Sequence, residues 1–116
     1  MKNLKVVKVN QDSIEFENGV KLESYHESDC CEHHDLYFGD LTLKDFEDLE
    51  FDLSGDDFFK RIEDYGIELI PLKGHSVKIP GYGSNNGYYS SNLSLVIYGD
   101  GFKKEYDISD CQVITD

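Results

Sequence analysis

The chain has 116 residues, of which 39% are hydrophobic and 13% are aromatic, and its formal net charge is −13 at pH 7. These values are those of a folded chain with one hydrophobic core, so we expect a single domain over residues 1–116. The large negative charge repels nucleic acid and anionic lipid, and it favours a basic protein partner. No apolar run approaches the roughly 18 residues of a membrane span, and the start of the chain lacks the apolar block of a signal peptide, so we expect a cytoplasmic protein.

Short alternating strands account for the first part of the sequence. Hydrophobic and polar residues alternate in LKVVKV (4–9), SIEFE (13–17) and VKLESYH (20–26), as in strands with one buried face. Asn18-Gly19 separates the last two segments, and this dipeptide is typical of a tight hairpin turn because both residues accept a positive φ. The pattern therefore predicts an antiparallel meander.

The middle of the chain carries two signals for the start of a helix. Thr42 is followed three residues later by Asp45, and Ser54 is followed in the same way by Asp57. A carboxylate at this spacing from a Thr or Ser N-cap is typical of a capping box. We therefore predict two short helices, near residues 43–50 and 55–65.

The predicted helices coincide with the most acidic part of the chain. Residues 40–64 contain ten acidic and three basic residues, which accounts for −7 of the net charge. A solvated helix face explains part of this charge, because acidic side chains in a first helical turn suit the helix dipole. The same charge on two adjacent helices would also attract a basic partner. The residues that we expect to bind such a partner are Asp45, Glu47, Asp48, Glu50, Asp56 and Asp57.

The last third of the chain returns to strands. The segments IELIPL (67–72), HSVKIP (75–80), LSLVIY (93–98) and FKKEYDI (102–108) are apolar or alternating, and CQVI closes the chain. A Gly-Asp-Gly turn at 99–101 predicts a second hairpin. Strands followed by helices and then by strands indicate the α+β class. We predict one domain with a mainly antiparallel sheet and two short acidic helices in the middle.

The segment SYHESDCCEHHDLY (24–37) concentrates histidines, cysteines and carboxylates, which are the usual ligands of zinc. Zinc ligands usually come in spaced pairs, whereas Cys30-Cys31 and His33-His34 are adjacent, and neighbours on a strand point to opposite faces. A straight strand would therefore not wrap these side chains around an ion. A turn before the cysteines would let His26 meet one cysteine and one of the later histidines, so zinc remains an alternative.

Carboxylates on both sides of the two cysteines bear on two further kinds of site. Glu27, Asp29, Glu32 and Asp35 would raise the pKa of a neighbouring thiol, which disfavours a reactive thiolate. We therefore do not expect an enzyme, and a Cys-His hydrolase is the minor alternative. Calcium or magnesium would find oxygen ligands here, but the spacing of an EF-hand is absent. The plainest interpretation is that one cysteine packs in the core as a small hydrophobic residue.

The glycine-rich stretch GYGSNNGYYSSN (81–92) has more than one interpretation. Its glycines would leave backbone N–H groups open to an anion. A dinucleotide-binding turn needs a helix after the glycines, however, and a strand follows here. An irregular turn that accepts positive φ at Asn85, Asn86 and Gly87 explains the composition equally well. Its tyrosines would then pack on the sheet or belong to a protein interface.

Two stretches together resemble a known family. His26–Glu32 (HESDCCE) and Tyr82–Ser90 (YGSNNGYYS) resemble the His-x-x-Asp-Cys-Cys-Glu segment and the Ser-Asn-Gly-Tyr-Tyr-Ser loop of an uncharacterised domain family of bacteria and their phages. Asp45–Leu49 (DFEDL) is similar to the acidic element that separates these motifs, whereas the acidic stretch 55–65 has no counterpart. The resemblance covers residues 14–98 and implies a small cytoplasmic protein of phages or mobile elements. It implies no catalytic residues, but it suggests that the two motif segments meet in the fold.

Two function classes follow from these observations. The first is an interaction protein that inhibits a host nucleic-acid-binding defence protein, in the manner of an anti-CRISPR protein, through an acidic surface that mimics nucleic acid. The second is a small-ligand or metal-binding module built from the two motif segments, with His33 and His34 left as surface residues. We assign no cofactor and no definite metal. The possible ligand site comprises His26, Asp29, Cys30, Cys31, Glu32, Asn85, Asn86, Tyr88 and Tyr89.

Overall fold

The structure, a computed structural model, describes residues 3–26, 33–84, 92–99 and 101–115. Within these ranges the chain forms ten strands and one turn of 3₁₀ helix, Leu43–Phe46. No helix in the described part of the chain is long and apolar enough to cross a membrane. The strands are β1 (Val6–Val9), β2 (Ser13–Phe16), β3 (Lys21–Tyr25), β4 (His33–Leu36), β5 (Phe59–Ile62), β6 (Gly66–Leu69), β7 (Val77–Ser84), β8 (Ser94–Gly99), β9 (Phe102–Asp107) and β10 (Val113–Thr115).

The first sheet has five antiparallel strands in the order β1-β2-β3-β8-β9. The predicted hairpin at Asn18-Gly19 joins β2 to β3. Gly19 has a φ of +84°, and the side chain of Asn18 accepts a hydrogen bond from the backbone N–H of Val20 at 3.2 Å. β3 then pairs with β8 from the last third of the chain, so the two predicted strand regions form one sheet.

The second sheet is organised by β7, which has eight residues. The first half of β7 pairs with β6, and β6 pairs with β5. The second half pairs with both β4 and β10. Because β4 and β10 face the same residues of β7, they lie on its opposite edges. Only β10 runs parallel to β7 among these described pairs; the others are antiparallel.

Buried side chains from both sheets form one hydrophobic core. In the first sheet Ile14, Leu22 and Ile97 lie opposite one another and are fully buried. In the second sheet Ile67 and Ile79 are opposed and buried in the same way. Along a single strand the buried residues recur with the period of two that marks one face, as Ile14 and Phe16 do on β2 and Val77 and Ile79 do on β7. The alternation read from the sequence is therefore confirmed in the strands that it predicted.

The predicted α+β class is wrong, because the middle of the chain forms turns and strands rather than two helices. The capping interaction at the first predicted helix (43–50) does form: the carboxylate of Asp45 accepts a hydrogen bond from the backbone N–H of Thr42 at 2.8 Å. The helix stops after one 3₁₀ turn, and Asp48 then takes a left-handed φ of +64°. A left-handed residue cannot continue a right-handed helix.

Extended chain follows this turn because the buried residues alternate. Leu49, Phe51 and Leu53 are all buried, whereas Glu50 and Asp52 between them are half-buried. A helix would spread Leu49, Phe51 and Leu53 over different faces, but an extended chain places them on one face. Phe51 forms a β-bridge with Leu4 of the N-terminal segment.

The second predicted helix, at 55–65, is also wrong. This stretch contains β5, and Gly66, which would follow a helix, is the first residue of β6. Phe58 and Phe59 are buried against Tyr106 of β9, with ring centroids 5.7 and 5.0 Å from the tyrosine ring. This contact between the two sheets replaces the helical face that the aromatic spacing suggested.

Gly66 offers a direct test of the β5–β6–β7 arrangement. A Cβ atom there would overlap the carbonyl oxygen of Ile79 and lie 2.8 Å from the backbone nitrogen of Gly81. Since backbone atoms cannot rotate away, we expect Gly66→Ala to lower the free energy of unfolding by about 1–3 kcal/mol. Urea denaturation followed by circular dichroism measures the change.

Gly55→Ala is the matched control, because a Cβ at Gly55 would meet nothing within 4 Å. We expect it to change the free energy of unfolding by less than about 0.5 kcal/mol. Equal stability of the Gly66→Ala and Gly55→Ala variants would contradict the close approach of β6 to β7.

Candidate functional site

Most of the predicted ligand-site residues lie outside the described part of the chain. We call residues 27–32 the cysteine segment and residues 85–91 the tyrosine loop. The described residue of the predicted set is His26. The others are Asp29, Cys30, Cys31 and Glu32 of the cysteine segment and Asn85, Asn86, Tyr88 and Tyr89 of the tyrosine loop.

The strand ends that flank these two segments are hydrogen-bonded neighbours. β3 ends at Tyr25, just before the cysteine segment, and Tyr25 is paired with Ser94 at the start of β8, just after the tyrosine loop. On the other sheet, His33 at the start of β4 is paired with Ser84 at the end of β7. The residues that flank the cysteine segment and the tyrosine loop therefore lie at the same end of the fold. Whether the two segments themselves meet, as the resemblance suggests, concerns residues outside the described ranges.

Two histidines meet at this end of the molecule. The imidazole rings of His26 and His34 lie edge to face, with centroids 4.4 Å apart and planes inclined at 61°. His34 is only 5% exposed, so the prediction that it is a surface residue is wrong. It lies on β4 two residues before Leu36, which is also buried, so both side chains point to the same inner face.

The hydrogen bonds of His34 define which nitrogen carries its proton. Nδ1 of His34 lies 2.8 Å from Oε1 of Gln112. The orientation of the Gln112 side-chain amide is fixed because the amide nitrogen of Gln112 donates to the carbonyl oxygen of Ser109 at 2.8 Å. A carboxamide oxygen only accepts, so Nδ1 of His34 is the donor, and in the neutral ring Nε2 holds the lone pair. The buried Nε2 atom of His34 has no hydrogen-bond partner among the described residues.

His26 is oriented in the same way by a different carbonyl group. Its Nδ1 lies 2.6 Å from the backbone oxygen and 2.9 Å from the side-chain oxygen of Asn92, the residue that follows the tyrosine loop. Since a backbone oxygen only accepts, Nδ1 of His26 is also a donor. The neutral ring of His26 therefore carries its lone pair on Nε2, as that of His34 does.

Gly83 of β7 provides the space that the His34 side chain fills. A Cβ atom at Gly83 would collide with Nδ1 of His34 and would lie 2.5 Å from Oε1 of Gln112. The glycine-rich stretch is thus used here for close packing of a side chain against the backbone. The interpretation of its glycines as an anion cradle gains no support from Gly83.

Three residues of this site were missed from the sequence: Gln112, Asn92 and Gly83. Gln112 is 3% exposed, and a buried glutamine is a signal only once burial is known. No group of three or more metal-binding side chains occurs among the residues that the structure describes. At this end of the fold the described residues supply the imidazoles of His26 and His34. Cys111, which is buried, is not a candidate nucleophile because burial raises the pKa of its thiol.

The six acidic residues predicted to bind a partner do not lie on two helices: Asp45 belongs to the single 3₁₀ turn, and the other five lie on turns and short extended segments. Glu47, Asp48 and Asp57 are exposed, and their side chains make no ion pair or hydrogen bond within the described ranges. The carboxylate of Asp45 is used in capping Thr42. The two remaining residues are Glu50, which is half-buried and forms a β-bridge with Lys73, and Asp56.

The exposed acidic residues line two different concavities. Glu47 and Asp48 share a cavity with Lys5 and Lys44, whose positive charges offset theirs. Asp57 lines a cavity with the exposed side chain of Leu72 and other residues. The structure therefore divides the acidic stretch between two places.

Asp56 is bound within the fold. It accepts a hydrogen bond from the hydroxyl of Tyr106 at 2.6 Å and lies 3.8 Å from the ammonium group of Lys104. Burial and this hydrogen bond raise the pKa of Tyr106 well above its usual value of 10.0. Asp56 is thus a link between the acidic turn and β9 at the contact with Phe58 and Phe59.

A further cavity, of about 670 Å³, lies on the outer face of the first sheet. Val96 is buried at its base, and Tyr25, Tyr98 and Glu105 contribute to its walls. The carboxylate of Glu23 in the same cavity accepts a hydrogen bond from the hydroxyl of Tyr98 at 3.3 Å. None of the residues predicted from the sequence to bind a ligand or a partner lines this cavity.

No protein-family model, curated protein or solved structure matches this chain. The resemblance to a phage domain family therefore stays a prediction from the two motifs. The site is defined by its geometry alone: two imidazoles are in contact, and their Nδ1 atoms are bonded to carbonyl oxygens, at the end of the fold where the strands that flank the two motif segments are paired.

The bond between Tyr106 and Asp56 predicts weaker folding in alkali. The pKa of Tyr106 is raised in the folded chain, so the native state keeps a proton that the unfolded tyrosine loses above about pH 10. The free energy of unfolding should therefore fall as the pH rises above about 10. We expect Tyr106→Phe to make this fall shallower, as measured by urea denaturation across the alkaline range.

The informative quantity is the slope of the free energy of unfolding against pH. The free energy at one pH is not informative, because Tyr106→Phe also removes a hydrogen bond at every pH. Tyr98 contributes a slope of the same sign, since burial and Glu23 raise its pKa as well. The slope should therefore be reduced in Tyr106→Phe but not abolished. An unchanged alkaline slope would show that the folded chain does not raise the pKa of Tyr106 through its burial and its bond to Asp56.

Proposed function

We propose that this chain is a ligand-binding module whose site lies at the end of the fold where the strand ends that flank the cysteine segment and the tyrosine loop are paired. The observation that carries this proposal is the buried Nε2 atom of His34, which has no hydrogen-bond partner in the described part of the chain. The ligand supplies either a hydrogen-bond donor or a cation to the lone pair of this atom.

An unsatisfied buried nitrogen is unusual because it is unfavourable. Leaving a buried polar atom without a partner costs about 1–3 kcal/mol, and the large majority of buried polar atoms in folded proteins have one. The rest of the His34 ring is held firmly, since Nδ1 is bonded to Gln112 and Gly83 packs against the ring. A ring that is held firmly on one side, with one buried nitrogen unpartnered within the described residues, supports a binding role for that nitrogen.

The two motif segments support the same location. They stood out in the sequence for their histidine, cysteine, carboxylate and tyrosine content, and their flanking strand ends are paired with each other in the fold. If the resemblance holds, a small protein of a phage or mobile element uses these segments for recognition. The proposal depends only on the paired strand ends that flank the two segments, and these strand ends are among the described residues.

His34→Asn tests the proposal with little change to the packing. The side-chain N–H of asparagine takes the place of the Nδ1–H of His34 and can donate to Gln112, but asparagine has no atom at the Nε2 position. Three probes of different chemistry are used: zinc chloride, sodium phosphate and adenosine. We expect at least one to move the ¹⁵N resonance of Nε2 of His34 and to raise the melting temperature.

The gain in melting temperature should disappear in His34→Asn and persist in His75→Asn. His75 is an exposed histidine whose ring contacts the backbone oxygen of Asp45 at 3.1 Å, so its replacement controls for loss of a surface imidazole. If His34→Asn does not fold, His26→Asn takes its place. The proposal fails if no probe moves the Nε2 resonance, or if the effect of every probe survives in both site variants.

A second proposal concerns the acidic residues. Glu47, Asp48 and Asp57 are exposed and unpaired within the described ranges, so they are free to bind a basic protein, such as a nucleic-acid-binding defence protein of a host. Their division between two cavities, one of which also contains two lysines, supports this proposal less strongly than the histidine pair supports the first.

Charge reversal tests this second proposal. The triple variant Glu47→Lys, Asp48→Asn and Asp57→Lys removes the three unpaired charges, and asparagine tolerates the left-handed conformation of Asp48. We expect the wild-type chain to bind a basic host protein, to release it as salt is raised, and to compete with nucleic acid for it. The triple variant should lose both the binding and the competition.

A second triple variant, with Asp12→Lys, Glu63→Lys and Glu105→Lys, is the control, since it also replaces three exposed acidic residues. It should bind like the wild type. Equal loss of binding in both triple variants would mean that overall charge, and not these three residues, attracts the partner.

A further inference from the structure

We propose that the cavity on the outer face of the first sheet binds a small aliphatic diamine, a chain of methylene groups with an ammonium group at each end. This is a second site, distinct from the histidine site of the proposed function, since neither His26 nor His34 lines the cavity. The observation that carries the proposal is a row of three side chains across the sheet: Glu23, Val96 and Glu105 place a carboxylate on each side of an apolar floor.

The register of three neighbouring strands produces this row. Glu23 of β3 is opposite Val96 of β8, and Val96 is in turn opposite Glu105 of β9. Residues that are opposite one another in paired strands point to the same face of the sheet. Leu22 and Ile97, which precede and follow members of the row, point into the core, so the row lies on the outer face. Neighbouring strands are about 4.8 Å apart, which places the Cα atoms of the two glutamates about 10 Å apart.

Val96 is an apolar residue that is buried outside the hydrophobic core. It is only 6% exposed, yet it is not part of the core cluster, to which every other buried hydrophobic residue in the described ranges belongs. The side chains that surround it on the outer face therefore form a depression with an apolar floor. A largely apolar cavity with a few polar groups is the usual composition of a small-molecule site, and the volume of about 670 Å³ is in the range of such sites.

The charged groups of the cavity favour a cation. Glu105 is exposed, and its carboxylate makes no ion pair or hydrogen bond with the described residues. Glu23 accepts one hydrogen bond, from the hydroxyl of Tyr98 at 3.3 Å, and a carboxylate has further lone pairs for a ligand. Lys103 is the one basic residue among the described residues that line the cavity, so two carboxylates and one ammonium group leave a net charge of −1.

Aromatic side chains in the walls favour an organic cation over a metal ion. Tyr25, Tyr98 and Phe102 all line the cavity, and the ring of Tyr25 belongs to a side chain that is 53% exposed. The face of a tyrosine ring attracts an ammonium group, and it also packs against methylene groups. A metal ion would gain nothing from these rings or from the apolar floor.

A diamine matches the whole row. Each ammonium group donates charge-assisted hydrogen bonds to one of the two glutamates, and the methylene chain between them covers Val96. A monoamine of the same length would leave one carboxylate without a partner. An uncharged diol of the same length would cover the floor but would lack the attraction to both carboxylates.

The test titrates the full chain with 1,4-diaminobutane, 1-aminobutane and 1,4-butanediol. Binding is followed through the backbone amide resonances of Val96, Tyr98 and Glu105, which report on the cavity directly. We expect a saturable shift with the diamine and at least about fivefold weaker binding of the monoamine, because one charge pair is lost. The diol should bind more weakly still, and the affinity for the diamine should fall as the salt concentration rises.

Four variants identify the residues that bind the diamine. Glu105→Gln and Glu23→Gln keep the side-chain shape but remove one charge each, and a glutamine oxygen at position 23 still accepts from Tyr98. Each should weaken binding of the diamine about 3- to 10-fold. Lys103→Gln removes the repelling charge and should tighten binding. Glu63→Gln is the matched control, since it replaces an exposed glutamate outside the cavity, and it should bind like the wild type.

Three results would overturn the inference. The first is the absence of a saturable shift with 1,4-diaminobutane, and the second is equal affinity for the diamine and for 1-aminobutane. The third is an affinity in Glu105→Gln and Glu23→Gln that equals the affinity in Glu63→Gln. The proposed function is judged by a different atom, Nε2 of His34, and by different probes, so either site can fail while the other stands.

Discussion

Antiparallel pairing of β4 with the second half of β7 is the constraint on which the site depends. This pairing places His34 opposite Gly83 and turns its ring towards the interior. A slip of one residue would move every β4 side chain to the other face, so that His34 would point outwards and Asp35 inwards. Burial of Leu36 on the same face opposes such a slip, and the backbone N–H of Leu36 donates to the hydroxyl of Ser24 on β3 at 3.0 Å. The register that buries Leu36 therefore also places the histidine.

The sequence predicted most strands because their burial follows a simple alternation, and it failed where burial depends on distant contacts. β4 was missed because its sequence, HHDL, has a histidine at the first inward position, and a buried histidine does not read as hydrophobic. β5 was taken for a helix because Phe58 and Phe59 fit a helical face, and only Tyr106 from β9 shows what they pack against. The capping interaction of Thr42 with Asp45 was predicted correctly, but it is local and does not decide how far a helix extends.

The site was predictable in composition but not in arrangement. His26 and the two motif segments were identified from the density of polar and aromatic residues in them. The partners that orient the histidines could not be identified, because Gln112 and Asn92 lie 78 and 66 residues away along the chain. Gly83 was noticed as part of a glycine-rich stretch, yet the reason for its small size is the His34 ring that packs against it. Such roles follow from the pairing of β4 and β10 with β7, and a short apolar segment does not reveal its partner strand.

The single unsatisfied atom of His34 is the observation that favours the proposed binding role over a purely structural one. A domain of this size has a total stability of about 5–15 kcal/mol, so an open buried nitrogen, at about 1–3 kcal/mol, is a substantial loss. Among the side chains in the described ranges, no other buried nitrogen or oxygen lacks a hydrogen-bond partner. The one exception lies in contact with the ring of His26, at the end of the fold where the strand ends that flank both motif segments are paired, and this position is what the proposed ligand site is built on.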